Sequence, residues 1–318
     1  DLMRYTVDVI SGLAFGADIN TVEGEKDVIQ EHMEHIFPML FRRGFAPFPY
    51  WRYFKLPADR RLDVHLQAFG AAVLDFLAGG RERMQADPTL REHPTNLIEA
   101  MIAARDQPGA PLTDEDVAAN VATMLLAGED TTANTLAWML HLLARHPWAL
   151  ERATADVRRA LGEDQVVTRL EQLDALEFVE ACSHETMRLK PVAPLLILQA
   201  ARDTELGGVA VPRGTLCIFL MRAGPTDARH FERPEVFDPD RWLGADAASG
   251  KRIAMPFGAG PRMCPGRYLA LLEIKMAVAT LLGDFELAGV GPAGGGTVEE
   301  RLAFTMTPTP LTMQVVPR

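Results

Sequence analysis

The stretch that most constrains this chain runs from Leu112 to about His146 and carries helical signals without a break over roughly 33 residues, or about 50 Å of helix. Thr113 stands where a cap belongs, Asp114, Glu115 and Asp116 favour the positive helix end, and Pro147 stops the run. Its middle, V-A-T-M-L-L-A-G-E-D-T-T-A-N-T-L-A-W-M-L, is apolar on nearly every face, so the helix must be buried across a whole domain. The polar residues at its centre then need a reason. A-G-E-D-T-T, Ala127 to Thr132, costs helix propensity and desolvation. On its own it reads as Thr131 or Thr132 bonding back to an i−4 carbonyl and bending the helix, while Asp130 finds a partner.

Around this helix the first two thirds is helical in pattern, broken at F-A-P-F-P-Y-W (45–51), at Gly79 and Gly80, and at D-Q-P-G-A-P (106–111). The aromatic run at 45–54 reads as a packed loop. Further helices are predicted from Trp148 to Leu161, Leu173 to Leu189 and Arg267 to Leu282. Between the last two lie short β-like runs, L-L-I-L-Q-A-A-R-D and T-E-L-G-G-V-A-V-P-R-G-T-L-C-I-F-L. The end, R-L-A-F-T-M-T-P-T-P-L-T-M-Q-V-V-P-R, alternates as a hairpin or edge strands, with Pro308 and Pro310 confined to turns or edges. The expected class is mainly α with a small β region, and residues 1–318 are read as one domain.

Charge narrows the partners. With 32 basic against 43 acidic residues the formal charge is −11, which gives no long-range attraction to nucleic acid or to anionic lipid. No run approaches the ~18 consecutive apolar residues of a membrane span. Cys182, Cys217 and Cys264, widely spaced, make neither a disulfide framework nor a paired zinc pattern, so a reducing, cytoplasmic setting fits best. Cys182 and Cys217 read as small buried hydrophobes. The opening D-L-M-R-Y-T-V-D-V-I-S-G-L-A-F-G is already helical in spacing and lacks an initiator Met, so upstream strands and helices are expected to be absent; a membrane anchor there stays open.

Cys264 itself sits in P-F-G-A-G-P-R-M-C-P-G, where Phe257, Gly258, Gly260, Arg262 and Gly266 surround it at fixed offsets. Glycines permit positive φ and close backbone approach, so amides can point at the sulfur while a flat group lies against the loop. Such donors, with the start of the following helix, stabilise a thiolate. A second pattern, E-T-M-R, places Glu185 and Arg188 on one helix face; alone, such a pair is more often a solvated surface contact.

F-x-x-G-x-R-x-C-x-G, A-G-E-D-T-T and E-T-M-R, in this order of helix, pair and loop, resemble the cytochrome P-450 family. The resemblance spans nearly the whole chain but only the latter part of a full member. It implies the cytochrome P-450 fold, N-terminally incomplete, and haem b (iron protoporphyrin IX) with Cys264 as the axial ligand of its iron. It places Phe257, Gly258 and Gly266 against the haem, pairs Arg262 with a propionate, and makes the long helix the oxygen-binding one. There Ala127 and Gly128 let the backbone come close, and Asp130 and Thr131 deliver the protons that O–O cleavage needs. It makes Glu185 and Arg188 a structural lock closed by Arg241 of P-E-V-F-D-P-D-R-W. Met124, Ala193, Pro194, Leu195, Leu196, Ile197 and Phe304 become walls of an apolar substrate pocket, and the aromatic run at 45–54 falls where the family caps its substrate channel.

The implied activity is that of a haem-thiolate monooxygenase inserting one atom of dioxygen into an apolar substrate. No G-x-G-x-x-G follows a strand, so electrons would come from a ferredoxin- or flavodoxin-type donor or a reductase. Lys251, Arg252, Arg267 and Lys275 would form its docking face. Two alternatives stay open: a peroxide-using haem-thiolate enzyme, against which the Asp130 and Thr131 pair argues, and a truncated, non-catalytic fragment. Two departures matter. The family's haem-binding W-x-x-x-R is matched only by Trp148 and Arg152, on the wrong side of the long helix. A further propionate arginine of some soluble bacterial members falls at Leu198 or Gln199, and Arg202 lies too far along to replace it.

Overall fold

The computed structural model describes residues 1–24, 28–245 and 247–318. They form two compact units, Asp1–Asn134 and Thr135–Arg318.

The first unit is helical. α1 (Leu2–Val9) runs into a π-helical turn (Ile10–Ala14), followed by α2 (Val28–Gly44), α3 (Pro57–Ala86), α4 (Leu97–Arg105) and the first part of α5 (Asp114–Arg145). α5 ends within a residue of where the sequence places it, and Thr113 caps it: its hydroxyl accepts from the Asp116 amide at 3.1 Å. α3 packs on α2 and α4 through Leu62, Phe69, Val73, Leu77 and Met84, all buried. Pro57 opens it and Asp59 accepts the Leu56 amide at 3.0 Å, a fold-back that satisfies one orphan donor of the first turn. Arg43 of α2 bonds the same carboxylate at 2.8 Å.

The sequence offers no membrane span, yet α3 is long and apolar enough by length and composition to cross one. A mostly buried core helix of a globular protein passes the same test, whereas only 22% of this stretch is buried; it also carries Asp75.

Between α2 and α3 the aromatic run departs from the packed loop read in the sequence. Phe45, Phe48, Tyr53 and Phe54 are exposed by 46%, 53%, 79% and 54%. The segment forms one 3-10 turn, Tyr50–Arg52, and its rings meet one another edge to face, Tyr50 against Trp51 at 5.3 Å and 84°.

A second joint closes the unit where α3 meets α4. Arg83 donates to Glu99 at 3.0 Å and to the Phe15 carbonyl at 2.7 Å, and Glu99 also accepts the amide and hydroxyl of Thr95, each at 2.9 Å. Burial pushes the Glu99 carboxyl up, but the Thr95 amide, Arg83 and the Thr95 hydroxyl outweigh it and hold it at about 2.

The second unit holds the end of α5, then α6 (Pro147–Leu161), α7 (Leu170–Asp174), α8 (Glu177–Leu189), α9 (Ala247–Ala254) and α10 (Arg267–Asp284). α6, α8 and α10 pack on one another; Ala149, Ala153, Val157, Phe178, Val179, Ile274, Val278 and Leu282 are buried in this core. The single helix predicted from Leu173 to Leu189 is two. Asp156 of α6 accepts the Phe178 and Val179 amides at 3.0 and 3.2 Å, which starts α8 afresh with a cap from a distant residue.

Among the described residues eight strands pair two by two, all antiparallel: β1 (Leu195–Gln199) with β4 (Leu216–Leu220), β2 (Thr204–Leu206) with β3 (Val209–Val211), β5 (Phe285–Gly291) with β8 (Thr312–Pro317), and β6 (Glu299–Leu302) with β7 (Met306–Thr309). The β2–β3 turn is Gly207-Gly208 with φ of 57° and 82°, the pair of positive values that a two-residue hairpin demands. Pro308 lies opposite Glu300 in the two-stranded β6–β7 sheet, an edge as its missing N–H requires. Mainly helical with small sheets is thus the observed class.

Candidate functional site

The loop of Cys264 follows α9 and leads into α10. Its amide donates to the Phe257 carbonyl at 2.8 Å, closing the loop across seven residues, and the Met263 amide donates to the Gly260 carbonyl at 3.1 Å. Gly258 and Gly260 take φ of 71° and 66°, where a side chain would be strained. A β-carbon on Gly266 would stand 3.9 Å from the Cys264 Sγ, at contact distance with the sulfur. Cys264 is half-buried and Arg262 exposed.

α10 begins one residue after Gly266, so its first amides, which have no partner within the helix, start beside the cysteine. The other cysteines differ from it. Cys182 is fully buried and burial pushes its thiol up, away from reactivity. Cys217, expected to be buried, is only half-buried, because it lies on β4 of a two-stranded sheet opposite Leu198.

The second unit also carries a buried ion lock. Glu185 and Arg188, on α8, have no exposed side-chain surface, and Arg188 donates to both Glu185 oxygens at 2.7 and 2.8 Å. Arg241 approaches the same carboxylate at 3.4 Å, so the three residues singled out in the sequence do come together. Two donors were missed: the Trp242 indole at 2.9 Å and the Asp238 amide at 2.9 Å. Arg188 spends its remaining hydrogens on the carbonyls of Pro225, Pro234 and Val236 at 2.8, 2.7 and 3.0 Å. A buried charge pair is tolerable only when its remaining donors and acceptors are met this fully. The carbonyls it grips lie in the irregular stretch 222–238, and Trp242, at the start of the approach to α9, packs with Phe231, Ala181 and Ala254. The signal for Trp242 was its adjacency to Arg241 in D-R-W.

The expected basic docking face needs one correction. Lys275 is buried, its ammonium held by Glu180 at 2.5 Å and by the Leu173 carbonyl at 3.0 Å, so it is a packing element of α10. His184 and Lys275 hold the Glu180 carboxyl at about 2 against the upward push of burial. Lys251 and Arg252 remain exposed. Arg267 lies over the Tyr268 ring at 4.2 Å and reaches the Cys264 carbonyl at 3.4 Å. Arg152, of the misplaced W-x-x-x-R, is bound to Asp240 at 2.7 Å and covers Phe178.

The pocket candidates of this unit gather on one bond. The Met306 amide donates to the Val192 carbonyl at 2.8 Å, tying the turn that carries Phe304 to the segment Ala193, Pro194, Leu195, Leu196 and Ile197. Phe304, Ala193, Leu196 and Ile197 present exposed apolar surface.

In the first unit, α5 presents an open face at i, i+4 spacing: Thr123, Ala127 and Thr131, with Met124 alongside. The Thr131 hydroxyl donates to the Ala127 carbonyl at 2.7 Å, as Thr123 does to Ala119 at 2.7 Å. Asp130 is buried and accepts from the Asn134 amide group at 2.9 Å, a partner the sequence did not point to. Gly128 faces elsewhere. A β-carbon there would stand 2.1 Å from Cδ1 of Ile10, so the missing side chain makes room for the π-helical turn. The Thr6 hydroxyl donates to the Glu129 carbonyl at 3.0 Å on the same side.

Comparison with known proteins points to one family. The cytochrome P-450 family model matches residues 1–315. Cyclooctat-9-en-7-ol 5-monooxygenase of Streptomyces melanosporofaciens is 35% identical over 280 residues, covering 88% of this chain and 59% of that protein. Pentalenene oxygenase of Streptomyces avermitilis is 30% identical, over 88% of this chain and 62% of its own length. Among solved structures, the crystal structure of the P450DA heme domain matches with a TM-score of 0.83 at 26% identity, over 100% of this chain and 67% of that one. The chain thus spans 59% and 62% of the two curated relatives' lengths.

Proposed function

Because the chain belongs to the cytochrome P-450 family, we propose that it is the cofactor-holding part of a haem-thiolate monooxygenase acting on an apolar organic substrate. The observation that carries this reading is the Cys264 loop: two positive-φ glycines, the Phe257 carbonyl taking the Cys264 amide, and a helix start beside a half-buried sulfur. These features suit a thiolate that serves as a metal ligand beneath a flat ring. Haem bound there would supply the activation of dioxygen, driven by electron density pushed from the thiolate.

The remaining roles belong to side chains. Arg262, exposed beside the loop, would pair with a propionate. Phe257, Gly258 and Gly266 would lie against the ring. Glu185, Arg188 and Arg241 would hold the loop's approach rigid, a positioning role. On α5, Ala127 leaves the open face low; Thr131, oriented by its bond to the Ala127 carbonyl, and Asp130, oriented by Asn134, would hold and pass protons. Gly128, whose missing side chain makes room for Ile10, would let the same turn of backbone come close to the cofactor. Met124, Ala193, Pro194, Leu195, Leu196 and Phe304 would bury the substrate. The names of the two Streptomyces relatives, built on cyclooctat-9-en-7-ol and pentalenene, fit such a molecule. A separate ferredoxin- or flavodoxin-type donor or a reductase would supply electrons.

Isotope labelling of the whole protein tests the reaction class. Under ¹⁸O₂ the product is expected to carry one labelled atom, and in Thr131→Ala reductant consumption should continue while product falls. Oxygen drawn from water instead would overturn the proposal, and so would a Thr131→Ala variant that couples reductant to product as wild type does.

A further inference from the structure

Three histidines meet between α2 and α3. His32 and His35 lie one turn apart on α2, and His65 faces them from α3. The Nδ1 atoms of His32 and His65 are 3.1 Å apart, and the His35 ring stacks on His65 at 4.2 Å with 13° between planes. His35 turns its own Nδ1 to the Glu31 carbonyl at 2.9 Å. A neutral imidazole has one N–H and one lone pair, so a contact between two Nδ1 atoms holds only while one ring donates and the other accepts. A second proton would set donor against donor. When both rings carry their proton on Nε2 instead, both Nδ1 lone pairs are free for an ion in place of the shared proton.

The spacing has a chemical use. Bonds from a first-row ion to imidazole nitrogen are about 2.0–2.1 Å, and two of them at roughly 90–110° set the nitrogens roughly 2.9–3.4 Å apart. The His32 and His65 nitrogens stand in that window, one on each helix, and Arg43 bound to Asp59 links the same two helices. We propose that His32 and His65 form a two-point site for a divalent transition ion of the nickel, copper and zinc group, bridging α2 and α3. Imidazole suits these ions, and they stand at the high-affinity end of the divalent series. No group of three or more His, Cys, Asp or Glu side chains could hold an ion among the described residues, so water completes the shell and the ion exchanges.

The test is titration of the full chain with nickel chloride by calorimetry, with thermal unfolding followed in parallel. One saturable equivalent is expected, and it should raise the unfolding midpoint. His32→Ala and His65→Ala should each weaken it at least about tenfold, or ~1.4 kcal/mol, and remove the rise. His230→Ala, at an exposed position in the other unit, should change neither. Either variant suffices if circular dichroism shows it folded. Absence of a saturable equivalent in the wild-type chain overturns the proposal without recourse to any variant, and so does nickel binding of equal strength in a folded His32→Ala or His65→Ala chain.

Discussion

A methyl group at position 128 would have to displace Ile10, whose Cδ1 lies 2.1 Å from where that carbon would be. Gly128→Ala should therefore cost about 1–3 kcal/mol by overpacking, measured as a drop in the denaturant midpoint. Ile10→Val in the same chain should recover part of it, since it removes the offending atom. A Gly128→Ala chain as stable as wild type would contradict this packing. The distinction bears on how the long helix is used. Ala127, Thr131 and Met124 sit on its open side, whereas Gly128 and the Glu129 carbonyl face α1 and its π-helical extension. The motif A-G-E-D-T-T is legible as unusual in a buried helix, but which of its residues faces a neighbouring helix depends on Ile10, more than a hundred residues away, and no local spacing reveals that.

Among the elements, α8 contributes most. It is buried along nearly its whole length, and the stretch before α9 supplies donors to its central Glu185 and carbonyl acceptors to its central Arg188. Glu185→Gln leaves Arg188 buried without its counter-charge and should cost about 3–5 kcal/mol, read from chemical unfolding; a loss under about 1 kcal/mol, the scale of an exposed pair, would mean the lock is solvated. Glu185, Arg188 and Arg241 could be picked out because their types and order are distinctive. The Asp156 cap that separates α7 from α8 could not, since it acts through a partner that the chain brings up only after folding. Lys275 was misread for the same reason: a lysine near the cysteine loop looks like surface until Glu180 is seen to hold it inside.

The α3–α4 joint makes a pH statement. Glu99 is held at about 2 in the fold, from an ordinary value of 4.5. A depressed carboxyl contributes stability that is complete above about pH 4.5 and is lost as the pH falls toward 2. Glu99→Gln should flatten that part of the acid unfolding curve and cost about 1–3 kcal/mol at neutral pH. An unchanged acid limb would remove Glu99 from the account.

At the scale of the molecule, helix class, the small paired sheets and the order of motifs were readable because they rest on local pattern: caps, prolines, alternation, and a ten-residue loop with five special positions. The aromatic run at 45–54 was not, because whether rings pack inward or on each other is decided by what surrounds them. The chain spans 59% and 62% of the lengths of the two Streptomyces relatives. The proposed function rests most on Cys264 as the ligand. The most direct measurement is the absorption spectrum of the reduced, carbon monoxide-bound protein in wild type and Cys264→Ser. Thiolate ligation requires a strongly red-shifted Soret band that the serine variant loses; a haem-loaded wild type without that shift, or a variant that keeps it, would contradict Cys264 as the axial ligand.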